Sequence, residues 1–504
     1  MNHRRFTLVI LTLVGVGTVV AAAQGNTPRP EPLRLHPDNP HYFQFRGRPT
    51  VLITAGEHYG AVLNLDFDYG RYLDVLRAHE FNLTRVFSGT YREVAASFGI
   101  TGNTLAPAAG RFVCPWARSE TPGASDGGNK FDLTKWDEAY FARLKDFLAQ
   151  ASRRGVVVEL VLFCTMYDDK LWDASPMNAR NNVNGIGGVG RQEVYSAKDM
   201  DLLAVQQAVV RKLVAELNEF DNLYYEICNE PYERGGLTSE WNDRIIAALV
   251  EAEASLPQKH LIAQGFPPSP RTVSGLNPRI SILKFHAAKP DAVRLNYPLN
   301  KVIAFDETGG ADRSDRTYRT EGWEFILAGG GVYDHLDFSF TPGHEDGMAV
   351  PLPPGMPGGG GPELRQQLRI LKEFIEGFDF LHMAPAPETI KVRSVPVRAY
   401  KEIPKRDTSR LGTQETPHGV TTNAADKTAV WVLAEAGRAY AAYVKGGTGT
   451  ELSLELPAGS YGAEWVNPRT GRVEKVETFR HEGGDRTLAS PVYSEDIALR
   501  VKSR

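Results

Sequence analysis

Between about residues 50 and 340 the chain alternates short apolar runs with longer stretches whose apolar positions recur at helical spacing. Residues 51–55 predict a strand and 67–79 a helix. A second strand is predicted over 81–87, then a strongly periodic helix over 134–153 that ends at Gly155. Residues 156–163 are almost uninterruptedly apolar, as a strand buried on both faces must be. Helices over 201–219 and 239–254 flank a strand at 223–228. Strands at 260–264, 282–286 and 302–305, a helix over 316–328 and a last strand within 331–338 complete the pattern. Strands joined mostly by helices in this order predict a parallel (β/α)₈ TIM barrel. An open doubly wound sheet gives the same alternation. It ranks lower because no glycine-rich phosphate loop follows the first strand.

Three long insertions, 90–132, 167–198 and 340–362, each follow the C-terminal end of a strand, the face on which barrel enzymes keep their sites. The glycine run from Gly358 to Gly361 reads as a mobile stretch without chemistry. A helix over 363–378 follows. The pattern then changes to short alternating strands at 429–434, 440–444, 451–455, 463–466 and 497–501, separated by Gly- and Pro-containing turns. The expected division is a barrel over 24–384, with a short strand at 41–45 that pairs locally or caps the barrel bottom, and a small antiparallel β-sandwich over 385–504.

Composition narrows the choice of partner. With 504 residues the chain exceeds one core, and a net charge of −4 gives no footprint for nucleic acid. Residues 1–23 combine an arginine pair, an apolar run and the small residues Ala21-Ala22-Ala23. They read as a cleaved signal peptide and a secreted or periplasmic protein, with a retained membrane anchor as the alternative. No later segment is long and apolar enough to span a bilayer. The cysteines Cys114, Cys164 and Cys228 are too few for a disulfide framework and read as buried free thiols.

Two strand ends carry the candidate chemistry. Tyr224-Tyr225-Glu226-Ile227-Cys228-Asn229-Glu230-Pro231 is an apolar strand ending in an amide and a carboxylate, with Pro231 stopping the ladder. Val302-Ile303-Ala304-Phe305-Asp306-Glu307 is a second apolar strand capped by a carboxylate. Counted along the alternation these are the fourth and seventh strands, whose tips face each other across a barrel mouth. A facing pair of carboxylates suits glycoside cleavage, one protonating the leaving oxygen and the other attacking the anomeric carbon. Glu226 and Asp306 read as buried structural partners. Glu57, His58 and Tyr59 end the first strand and are candidates to line the pocket, as are Tyr333, His335 and Asp337 at the last. Trp116, Tyr167 and Trp172 are loop aromatics that could stack on sugars or anchor their own loops. Only His58 is present where a metallohydrolase barrel needs a His-x-His pair, so no metal and no cofactor are expected.

With Asn229-Glu230 ending the fourth strand and Glu307 ending the seventh, the chain resembles the clan A glycoside hydrolases, the 4/7 superfamily. The resemblance implies Glu230 as acid/base, Asn229 as ligand of the sugar 2-hydroxyl and Glu307 as nucleophile. It extends to Arg85, similar to the second-strand arginine that orients the nucleophile, and to His286 at the sixth-strand cleft position. The barrel with its C-terminal sandwich is most similar to cellulase-like bacterial barrels, apiosidase-like enzymes among them. Two departures stand out: Thr165-Met166-Tyr167 replaces a third-strand histidine, and Tyr333-Asp334-His335 holds no eighth-strand tryptophan. The subsite around the attacked sugar is therefore expected to differ from that of a standard cellulase or mannanase. The resulting expectation is a retaining hydrolase acting on a β-linked oligo- or polysaccharide. The alternative is a carbohydrate-binding protein with a vestigial barrel.

Overall fold

A computed structural model describes residues 31–394 and 428–504, apart from 234–236, 269–270 and 308–312. The segment read as a signal peptide lies outside the described residues. Among the described residues no helix is long and apolar enough to cross a membrane.

Eight parallel strands form the central sheet: β1 (Leu52–Gly56), β2 (Leu83–Phe87), β3 (Val157–Cys164), β4 (Leu223–Asn229), β5 (Leu261–Phe266), β6 (Ile282–His286), β7 (Val302–Asp306) and β8 (Val332–Leu336). Ladders run in order from β2 through β3 to β8, and β8 pairs β1 with Val332 opposite Leu52 and Leu336 opposite Gly56. The helices between them are α1 (Tyr69–Ala78), α2 (Glu138–Arg153), α3 (Met200–Leu217), α4 (Ser239–Ala254), α5 (Pro290–Asn296) and α6 (Asp315–Leu327), with α7 (Pro362–Glu376) after β8. Their starts are chemically marked. Asp68, Asp137, Asp199 and Thr238 each accept a hydrogen bond from a backbone N–H of the first turn, satisfying donors the helix cannot.

The seam between β1 and β2 is closed by a side chain. Asn82 Oδ1 accepts from Ile53 N–H at 3.0 Å and its Nδ2 donates to the Val51 carbonyl at 2.8 Å, so one amide replaces a missing stretch of ladder. At the top, Phe87 N–H donates to the Tyr59 carbonyl at 2.9 Å. The bottom is plugged by a small sheet of Arg34–Leu35, Phe43–Phe45 and Arg48–Thr50. Phe43 and Phe45 cluster there with the first residues of the strands, Leu52, Leu83, Val157 and Val302 among them. The short N-terminal strand therefore both pairs locally and caps the barrel.

Beyond the barrel two antiparallel sheets face each other. One takes Ala429–Glu435, Ala439–Lys445, Gly459–Val466, Val473–His481 and Asp496–Ser503, with Ala384–Pro385 at its edge. The other takes Ile390–Ser394, Thr450–Leu456 and Gly484–Ala489. The unit docks on α6. Trp323 stacks on Tyr443 with centroids 5.3 Å apart, and Arg319 pairs with Asp496 at 2.9 Å. The expected TIM barrel followed by a β-sandwich is the architecture observed. Several elements lay beyond the hydrophobic pattern, among them strands Ile390–Ser394, Gly484–Ala489 and the mostly exposed Val473–His481, and the hairpin Trp116–Pro122/Asn129–Trp136 in the insertion after β2. All three cysteines are free and buried, as expected.

Replacing Asn82 by Ala removes both seam hydrogen bonds and leaves two backbone groups unpaired. Urea unfolding should show a loss of about 1–3 kcal/mol; a change of only a few tenths would mean that packing alone closes the ring.

Candidate active site

Barrel interiors are usually filled by branched apolar side chains. Here the upper interior is ionic. Arg85 on β2, Glu159 on β3, Glu226 on β4, Lys284 on β6, Asp306 on β7 and Asp334 on β8 are all buried. Lys284 Nζ lies 2.9 Å from Glu159, 2.6 Å from Glu226 and 2.7 Å from Asp306. Arg85 donates Nε and Nη2 to Glu226 Oε2 at 2.9 and 2.6 Å, and Nη2 also to Asn229 Oδ1 at 2.7 Å. Burial pushes the Glu159 carboxyl up to about 7, and burial next to Asp306 raises Asp334 well above the carboxylate range. The two cations are thus balanced chiefly by Glu226 and Asp306. Asp306 is held far down by protonated His286, Lys284 and Arg85 against its own burial. Glu226 and Asp306 are structural partners, as their places within the strands suggested.

On this floor stand the two strand-end glutamates. Arg85 Nη1 reaches upward to Glu307 Oε1 at 2.7 Å, fixing one oxygen of that carboxylate. Glu230 accepts from the Tyr167 hydroxyl on Oε2 and lies 3.1 Å from His286 Nδ1 through Oε1. The same Nδ1 is 3.5 Å from Glu307 Oε2, and His286 Nε2 is 3.3 Å from Asp306. Asn229 Nδ2 donates to the Tyr167 hydroxyl at 2.9 Å. Both glutamates adopt left-handed backbone, φ 47° at Glu230 and φ 56° at Glu307. Such conformations cost about 1–3 kcal/mol each for a residue with a side chain and collect at functional sites. They turn the two carboxylates out of the strand direction and over the mouth.

Burial works to raise both carboxyls. On Glu307 it wins over His286 and Arg85, and this group sits above its ordinary value. On Glu230 the hydrogen bonds from His286 and Tyr167 outweigh burial and hold it below. His286, buried but facing Asp306, Glu307 and Glu230, is raised well above the usual imidazole value. His286 therefore holds its proton more tightly than a free imidazole, one hydrogen bond from Glu230. Glu230, His286 and Glu307 also place one ligand atom each within 4.8 Å of one another, a spacing a cation could use.

A cavity of about 220 Å³ opens above the pair. Its walls include the expected His58, Tyr59, Tyr167, Asn229 and His335. The Tyr59 ring lies 4.4 Å under the Arg85 guanidinium. His335 is kept neutral by burial, its value lowered to about 4. Several expectations are corrected. Glu57 is fully buried outside the cavity, where its carboxylate accepts from Ala61 N–H at 2.9 Å and the Thr104 hydroxyl at 2.6 Å, tying down the first loop. Tyr333 faces the helix layer, its hydroxyl donating to the Tyr318 carbonyl at 2.8 Å; strand alternation turns Asp334 inward in its place. Asp337 is likewise structural, paired with Arg365 at 2.6 Å. Trp116 and Trp172 are buried loop anchors, and of the three loop aromatics only Tyr167 reaches the site. The glycine run is packed: Gly358 lines the cavity, and a Cβ on Gly360 would fall 2.0 Å from Asp337.

Several residues were missed. Glu93, Phe98, Tyr318 and Phe338 line the cavity. Tyr232, two residues after Glu230, places its hydroxyl 3.4 Å from Glu230 Oε1. Lys284 carries no motif, but a lysine between apolar residues in a barrel strand was a readable signal of a buried counter-charge.

No protein-family model matches the sequence, and no curated protein matches it either. Solved structures do. A candidate glycoside hydrolase from Bacteroides vulgatus superposes with a TM-score of 0.63 at 14 % identity, covering 95 % of this chain and 83 % of that one. A glycoside hydrolase of family 5 from the same organism superposes with a TM-score of 0.58 at 13 % identity, over 94 % and 92 % of the two chains. The chain thus has the barrel-plus-sandwich fold of these glycoside hydrolases, the fold that the fourth- and seventh-strand motifs implied.

Replacing Lys284 by Met leaves Glu226 and Asp306 short of one buried counter-charge. Denaturant unfolding should register a loss of about 3–5 kcal/mol; unchanged stability would show that the carboxylates simply take up protons.

Proposed function

We propose that the chain is a retaining glycoside hydrolase acting on a β-linked sugar, with Glu307 as nucleophile and Glu230 as acid/base. One observation carries this reading: an oxygen of each carboxylate lies within 4.8 Å of the other around His286. That closeness suits direct attack, which needs carboxyl groups about 5–5.5 Å apart, rather than the roughly 6.5–9.5 Å that admits a water.

Arg85 holds Glu307 Oε1 and partly offsets the burial that raises this carboxyl, leaving Oε2 to attack the anomeric carbon. As the glycosidic C–O bond breaks, the leaving oxygen takes a proton from Glu230, supplied through the hydrogen bond from His286. The products are a glycosyl–Glu307 ester and a free alcohol. Glu230, now ionised, removes a proton from water, which attacks the same carbon and restores Glu307 and the original anomeric configuration. Asn229, fixed between Arg85 and Tyr167, stands beside the reacting carbon to bind the adjacent hydroxyl. Residues 1–23 suit export of such an enzyme to glycans outside the cytoplasm.

Two measurements test the roles. With aryl β-glycosides, Glu307→Ala should lose at least about 10⁴-fold in kcat, and azide should rescue Glu230→Ala with formation of a β-glycosyl azide. Activity that survives in both variants contradicts the assignment. The pH profile of kcat/KM should be a bell. Glu307, raised by burial, must lose its proton, so the acid limb lies above the usual carboxylate value of about 4.3. The proton held by His286 must stay, so the alkaline limb lies above the usual imidazole value of about 6.5. In His286→Asn the alkaline limb should move to lower pH; an unmoved limb would take His286 out of the proton path.

A further inference from the structure

We infer that the site is a one-sugar pocket and that the enzyme removes single residues from the non-reducing ends of its substrates; this rests on the glycosidase reading above. In that reading Glu230 on β4 faces the leaving group, so the attacked sugar extends away from it, toward the ends of β8, β1 and β2. A chain cut internally would have to continue in that direction, and there the structure builds a wall. Ile100 from the loop after β2 packs with Phe338 and Met356 from the loop after β8 in an apolar cluster of their own. Thr101 N–H donates to the Met356 sulfur at 3.2 Å. Gly102 lies so close to Thr341 that a Cβ there would sit 2.7 Å from the threonine methyl. These contacts join the two loops, so that among the described residues this side of the cavity is bounded by packed side chains. The cavity, about 220 Å³, falls below the roughly 300–1,000 Å³ of sites for drug-sized ligands.

The wall also carries polar groups suited to a chain end. His58 Nε2 faces Glu93 Oε2 at 3.7 Å, beyond hydrogen-bond reach. Both ring nitrogens of His58 are buried, and neither has a hydrogen-bond partner among the described residues. Glu93 is held rigidly by Asn103 Nδ2 at 2.5 Å and the Tyr91 hydroxyl at 3.2 Å. The gap between imidazole and carboxylate is one that a sugar hydroxyl can bridge, donating to Glu93 and accepting from His58. The buried His58 nitrogens, paired with Glu93 only at ion-pair distance, favour a ligand that hydrogen-bonds them. Only a terminal residue offers a free hydroxyl at the position where an internal residue carries its next linkage.

The test compares 4-nitrophenyl β-monosides with the corresponding β-biosides, together with reducing-end-labelled β-linked oligosaccharides. Wild type should free nitrophenol directly from a monoside. From a bioside it should release the terminal sugar first, and labelled oligosaccharides should shorten by one residue at a time from the earliest time points. Glu93→Gln should lower kcat/KM on the monoside by about 10- to 100-fold, the worth of one hydrogen bond to a charged group. Direct release of an intact disaccharide from a bioside, or early products shorter by two or more residues, overturns the inference while leaving the glycosidase reading in place. An unchanged Glu93→Gln overturns the role of the His58–Glu93 pair. Absence of product from every substrate removes the glycosidase reading, and this inference with it.

Discussion

The guanidinium of Arg85 is the point on which the structure turns. It is a cation with no access to water, and burying it is tolerable only because Glu226, Asp306 and Glu307 surround it. Those partners come from β4, β7 and the residue just beyond β7, so satisfying one side chain fixes the relative height of three strands. The fork geometry matters as much as the charge. One edge is spent on Glu226 and Asn229 below, and the remaining nitrogen is left for Glu307 above. A lysine could not serve both levels at once. Lys284 completes the layer by bridging Glu159, Glu226 and Asp306.

From this layer the electrostatics of the mouth follow. Glu307 stands on Arg85, while Glu230 stands on Tyr167 and His286, and Asp306 beneath His286 keeps that ring charged. Two carboxylates of similar chemistry thereby acquire different partners, one a fixed cation and the other a proton reservoir. Burial raises Glu307 while His286 and Tyr167 hold Glu230 down, so the proton that the acid/base role needs comes through His286. The left-handed backbone at both glutamates is the local cost of turning them over the mouth, and the rigid strands beneath sustain it.

The framework was legible in the sequence because the barrel strands are predominantly apolar, with only isolated charges, and the helices between them are periodic. The tips of β4 and β7 could be read for the same reason: a carboxylate directly after such a run has one place to go. Arg85, Asn229 and His286 followed from the resemblance to the clan A hydrolases, which assigns roles to those strand positions. Glu57 and Tyr333 were misplaced because a residue at a strand end can point to the mouth, the floor or the helix layer, and a single position of register decides. Glu93, Phe98 and Phe338 stayed invisible because they lie on long loops whose path depends on contacts between the segments after β2 and β8. The glycine run misled in the opposite direction. Gly360 takes φ 147° and packs on Asp337, so its glycines permit close approach instead of mobility.

The central claim is that Glu307 bonds to the sugar, and an activated 2-deoxy-2-fluoro β-glycoside tests it most directly. Slow hydrolysis of the trapped ester should leave one sugar on the protein, and peptide mapping by mass spectrometry should place it on Glu307. No adduct, together with a product whose first-formed anomer is inverted by NMR, would contradict the account.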